Sequence, residues 1–142
     1  MKKHFLTALC GLLLAPVSHA LDATSGVQVT PLLKTSQSWN GAALTYPTGQ
    51  AEVTALLIEI APGKQTGWHL HPVSSFAYIL SGTLEVTLAD GRVKRLQAGE
   101  PLAEVVNTAH NGRALGDAPV KLVVFYTGAV GTPLTVAVPP PQ

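Results

Sequence analysis

The chain has 142 residues, enough for one ordinary domain and too few for two. Nine Lys and Arg against eight Asp and Glu give a formal charge of +1 with neutral histidines, which is no electrostatic footprint for nucleic acid. One cysteine, Cys10, leaves no intrachain disulfide and no thiolate-rich metal site.

Residues 1–20 read as a secretory signal peptide. Met1-Lys2-Lys3-His4 is the basic start, and Phe5 to Val17 is apolar apart from Thr7, Gly11 and Pro16. Ser18 and Ala20 are the small residues a signal peptidase reads, which places the cut after Ala20. An uncleaved anchor is the alternative, but the run is short for a membrane span. Leu9 before Cys10 is wrong for a lipid-modified cysteine. Cleavage would remove Lys2, Lys3 and Cys10, leaving seven basic and eight acidic residues and a charge of about −1. A chain without thiols suits an oxidising compartment, so the expected location is periplasmic or secreted, with no membrane span in the mature protein.

Residues 21–50 are turn-rich, with Pro31, Asn40-Gly41 and Pro47, and predict one or two edge strands, Val27-Gln28-Val29 being the best candidate. Residues 51–130 read as one β-rich body. Val53 to Ile60 is apolar on both faces, as in a buried sheet, and Ala61-Pro62-Gly63 ends it. Gly67 to His71 and Phe76 to Leu80 are short strands, the second closed by Ser81-Gly82. Thr83 to Ala89 alternates Leu84, Val86 and Leu88 against Thr83, Glu85 and Thr87; Asp90-Gly91 then joins it to Val93–Leu96 in a hairpin. Arg92, Lys94 and Arg95 read as the polar face of that hairpin. Leu102–Val106, His110–Ala114 and Val120–Tyr126 complete the strands, and residues 131–142 form a Pro-rich tail whose end, from Val138, cannot pair as a central strand. Many short strands with turns every eight to twelve residues predict an all-β sandwich or barrel.

Every histidine that outlasts signal cleavage falls where a metal can use it. His69 and His71 stand at i and i+2, on one face of a strand, and His110 arrives from a later strand. Three imidazoles can hold a divalent metal and leave positions open for water or substrate. Spacing alone also allows two ordinary strand histidines with His110 unrelated to them. By alternation Ser75, Ala77 and Ile79 share a face, and Leu84 and Val86 join them in lining a small apolar pocket, with Phe76 and Tyr78 on the other side. Trp68 points away from the histidine face. Arg113 is either an anion-binding group or a surface hairpin residue.

Gly63, His69, His71 and Gly82 match the first motif of the cupin superfamily, Gly-x5-His-x-His-x3–4-Glu-x6-Gly, and the block from His110 to Leu122 resembles the strand and hairpin of the third ligand in small cupin domains. The resemblance covers about residues 52–127 and implies a single-domain cupin-type antiparallel β-barrel, or jelly roll, in which His69, His71 and His110 are metal ligands. Two departures stand out. Ser75 occupies the position of the motif's glutamate ligand; its hydroxyl is a poor substitute for a carboxylate, and Ser75 stands with Glu104 as a candidate fourth ligand or a group supporting the ligands. In the second motif, Pro-x-Gly-x-x-His-x3-Asn, this chain has Val105, Asn107 and Ala114 for the proline, glycine and asparagine. Without the glutamate a three-imidazole site keeps the full +2 charge of its metal and favours anionic ligands. Glu104, six residues before His110, either restores a carboxylate to the metal, orients a ligand histidine, or faces solvent. Glu59, inside an apolar run, is a weaker candidate that would need a partner if buried.

The expected function is metal-dependent chemistry on a small molecule, oxygenase-like or Lewis-acid, with Fe, Mn, Zn, Ni or Cu as the candidate divalent metals. The alternative is a non-catalytic protein of the periplasm that binds a metal or small molecule. The resemblance adds a homodimer as the expected assembly. The sequence names neither metal nor substrate.

Overall fold

The computed structural model describes residues 26–142; the expected signal peptide and cleavage site lie outside the described residues. Pro31–Gln142 form one unit built of strands alone. In chain order these are β1 (Ala51–Ile60), β2 (His69–Leu70), β3 (Ser74–Ser81), β4 (Thr83–Leu88), β5 (Val93–Gln97), β6 (Pro101–Ala103), β7 (His110–Leu115), β8 (Val120–Ala129) and β9 (Val136–Ala137). They make two antiparallel sheets, ordered β1-β8-β3-β6 and β5-β4-β7-β2-β9. This is the expected all-β jelly roll.

Alternation explains the sandwich. Along β4 and β8 every second side chain is buried, so each sheet turns one face to the core and the other outward. Ile79, Val86, Leu88, Leu96, Val105 and Val120 are the most deeply buried aliphatic residues, and each contributes roughly 1.5–3 kcal/mol by leaving water. The β4–β5 hairpin turns at Asp90-Gly91 as the sequence predicts: Gly91 takes φ +87°, and Asp90 accepts from the Arg92 backbone and guanidinium. Arg92 and Arg95 pair with Asp90 and Glu85, so the local basic group is a solvated face.

Three expectations need correction. The run Val53–Ile60 is not buried on both faces. β1 is a sheet edge, paired only with β8, and its outward residues Val53 and Leu57 are 63% and 70% exposed. Apolar content alone cannot separate a central strand from an edge strand whose outer face is uncovered. Val27–Val29 is not a strand, and both valines are exposed. Between residues 31 and 50 the backbone bonds within itself, Ser38 N to Ala42 O and Leu44 N to Ser36 O, around one isolated bridge from Gln37 to Ala43, and is tied to the rest by Trp39 N donating to Ala103 O and by Gln50 O accepting from Val130 N. Lastly, the C-terminal segment is more than a tail: β9 pairs with β2, and Val138 N donates to Trp68 O.

Candidate metal centre

Strand register brings the histidines together. His69 on β2 lies directly opposite His110 on β7. His71 follows β2 by one residue, and its carbonyl accepts from Asn107 N at 2.8 Å, which ties it to the turn before His110. The ring centroids are 4.4 Å apart for His69–His110, 4.8 Å for His69–His71 and 4.9 Å for His71–His110. One ring nitrogen from each lies within 4.8 Å of the others, an arrangement able to hold a metal ion.

All three rings are held by the same device. Each Nδ1 sits 2.8 Å from a backbone carbonyl: Gly67 O for His69, Leu134 O for His71 and Thr108 O for His110. A carbonyl oxygen only accepts, so Nδ1 must carry the proton, and the lone pair of the neutral ring falls on Nε2. Burial pushes the His69 and His71 imidazoles below their ordinary range, His71 to about 4. Their carbonyl partners oppose the shift; repulsion from neighbouring histidines adds to it. Above that range both rings are neutral, as metal ligands must be.

The histidines share a cavity of about 70 Å³ with an aliphatic wall that includes Ile58, Leu84, Val86, Leu102, Leu122 and Val124. Ala77 lines it as well, whereas Ile79 sits deeper, fully buried in the core and outside the lining. The alternation that gives Ile79 the correct face carries no information on depth.

Glu104 is buried against this site. Its backbone N donates to Ser75 O, which sets it beside the position of the motif's glutamate. Its Oε1 accepts from the Trp39 indole at 2.7 Å and from Val105 N at 2.8 Å. With Oε1 fixed, Oε2 faces the histidines, 4.0 Å from His110 Nε2. Ser75 is 1% exposed, and its Oγ is the only buried side-chain polar atom without a hydrogen-bond partner among the described residues. Glu59 and Arg113 are exposed and remote from this chemistry; Glu59 pairs with Lys121 at 3.2 Å. Trp68 is half-buried and does not line the cavity.

Sequence reasoning missed three contributors. Trp39 lies in a turn-rich stretch 65 residues before its partner, with no periodic signal to connect them. Tyr126 lines the cavity with its ring 5.2 Å from His71, and burial pushes its phenol above the ordinary range. Leu134 acts through its carbonyl, so its side-chain identity says nothing. The left-handed residue before His110 was half legible: Asn107, where the motif has glycine, adopts φ +49°, and asparagine tolerates that region better than most residues.

No curated protein sequence matches the chain. Among solved structures it is similar to the DMSP lyase DddQ from Ruegeria pomeroyi (23% identity, TM-score 0.55, 63% of this chain and 45% of that one). It is also similar to the polyketide cyclase RemF from Streptomyces resistomycificus (20%, 0.53, 64% and 63%). A third is Bacillus subtilis oxalate decarboxylase, a protein with Mn(II) centers (22%, 0.53, 61% and 24%). The chain spans less than two thirds of each of these proteins, and at such identities the likeness is one of fold. The model of the cupin domain matches residues 56–126, half of the sequence, and covers all three histidines: the chain belongs to the cupin superfamily.

Proposed function

We propose that the protein binds a divalent transition metal through His69, His71 and His110 and acts on a small molecule at that centre. One observation carries the reading: three backbone carbonyls hold three Nδ1 protons, so three Nε2 lone pairs are free for one cavity. The donor set fits the metal. Imidazoles and one carboxylate suit Fe, Mn, Zn, Ni or Cu, and Glu104 is the residue proposed as fourth ligand in place of the motif's glutamate. The Mn(II) centers of the Bacillus relative support a divalent ion without choosing among these.

When bound, the metal would supply Lewis-acid activation, or oxygen chemistry if it is iron. The chain's own residues do the rest. Leu134, Gly67 and Thr108 carbonyls orient the rings and raise their basicity. Trp39 and Val105 orient Glu104, and the aliphatic wall gives the site an apolar lining beside its polar cluster. One carboxylate and three neutral rings around a divalent ion leave a net charge of +1.

The test is metal content of protein purified from the periplasm or medium, before and after His69→Ala and His110→Ala. Near-equimolar metal lost in both variants is expected; sub-stoichiometric metal in the unmutated protein under several metal supplements defeats the reading. N-terminal sequencing of the same material tests export and the cut after Ala20. A non-catalytic binding role is the second reading, favoured by Ser75 standing where the motif has a carboxylate. Ligand recovered in native mass spectra, without turnover of any supplied metabolite, would select it.

We further propose a homodimer. Val53, Leu57, Leu80 and Phe125 are exposed on the sheet containing β1, and the free edge of β1 offers unpaired backbone to a second copy.

A further inference from the structure

We infer that the centre takes a short-chain monocarboxylate, and that Ser75 is the hydroxyl that anchors it. This rests on the metal reading and adds the ligand class to it.

The first observation is the orphaned Oγ of Ser75. A buried hydroxyl without a partner is destabilising, and native structures keep few of them. This one lines the histidine cavity on β3, with Tyr126 opposite it on β8 and the Glu104 backbone bonded to its carbonyl. Alanine would fill the same space without the cost. A hydroxyl there has a use if a ligand oxygen accepts from it.

Charge comes second. No Lys or Arg is among the residues lining the cavity, and Glu104 is. The metal-loaded site therefore carries +1, which one carboxylate neutralises. A dicarboxylate would bring a second negative charge against aliphatic walls with no lining cation to meet it.

Size and polarity come third. A cavity of about 70 Å³, part of which the ion itself would take, has room only for a small ligand. Around the polar cluster the walls are aliphatic. A molecule with a carboxylate at one end and two to three carbons at the other fits both zones, one oxygen at the metal and the second accepting from Ser75.

The experiment uses protein loaded with Co²⁺, whose visible absorption reports a change of ligands. Propionate and malonate are titrated into the unmutated protein and into Ser75→Ala, with cobalt content and melting temperature measured for both. Propionate is expected to perturb the spectrum saturably and to bind at least tenfold more tightly than malonate. Ser75→Ala should weaken propionate about tenfold, as the loss of a hydrogen bond to a charged acceptor does, with cobalt content unchanged. Equal propionate affinity in Ser75→Ala, or malonate binding as well as propionate, overturns the inference. Stoichiometric cobalt with no response to propionate also overturns it while leaving the metal reading intact; failure to take up cobalt defeats both. If Ser75→Ala melts far below the unmutated protein, the contrast between propionate and malonate in the latter still decides the ligand class.

Discussion

Metal-free protein should lose stability as the pH falls from 6.5 to 4, and His71 should account for much of the loss. Its imidazole, 5% exposed, is pushed from the ordinary 6.5 to about 4, chiefly by burial. Leu134 O opposes that shift, while His110 and His69 add to it; the Tyr126 ring packs on the remaining side. The sign follows from which state takes the proton. Above pH 6.5 both the folded and the unfolded His71 are neutral, and the group has no effect on the balance. Between 6.5 and 4 the unfolded chain protonates first, so stability is present above this window and is lost through it. A difference of 2.5 units, at about 1.4 kcal/mol each, leaves roughly 3 kcal/mol lost by pH 4. Urea unfolding of chelator-treated protein at several pH values measures the total. Repeating it with His71→Gln isolates the residue, because carboxylate terms common to both proteins cancel. The gap between the two should shift by about 3 kcal/mol between pH 7 and pH 4, against the unmutated protein. Parallel curves would refute the burial argument.

Trp39→Phe removes one of two donors to Glu104 Oε1 and should weaken metal affinity about tenfold in competition with a chelator; unchanged affinity means that Glu104 does not reach the metal. Gly82→Ala should destabilise by roughly 3 kcal/mol, because φ is +79° and a Cβ would stand 2.6 Å from Pro119 O; a thermal shift of under a degree would count against the turn as described. Leu57→Asp should turn a dimer into a monomer in sedimentation velocity without changing metal content, since Leu57 faces outward from β1; a dimer that persists would place the contact elsewhere.

Local patterns were the legible part of this chain. Alternation in Thr83–Leu88, the Asp90-Gly91 turn and the two-residue spacing of His69 and His71 all express periods of the backbone itself, which neighbouring residues reveal. Depth and edges were not legible. Ile79 and Ala77 share a face, yet only Ala77 reaches the cavity, and the apolar run of β1 reads the same whether or not a second layer covers it. Contacts between distant segments were hidden as well. The Trp39 indole and the Leu134 carbonyl come from opposite ends of the described chain, and neither lies within a recognisable motif.

The departures from the cupin motifs become intelligible together. Residue 75 is serine where the motif has glutamate, and Glu104, the carboxylate proposed to serve instead, follows the adjoining strand with its backbone N bonded to Ser75 O. A carboxylate arriving there needs donors to aim it, and one of them is the N–H of Val105. The second motif has proline at that position, and proline has no N–H to give. On the proposed reading, serine at 75 and valine at 105 fit one arrangement, in which Glu104 supplies the carboxylate and the Val105 N–H aims it. Val105→Pro should therefore act like Trp39→Phe, weakening metal affinity by about tenfold through a freed Oε1. Val105→Ala keeps the N–H, so it should lower the melting temperature by emptying core volume while leaving affinity alone. If both substitutions at 105 lower stability and neither touches affinity, the N–H of residue 105 does not aim Glu104 at the ion.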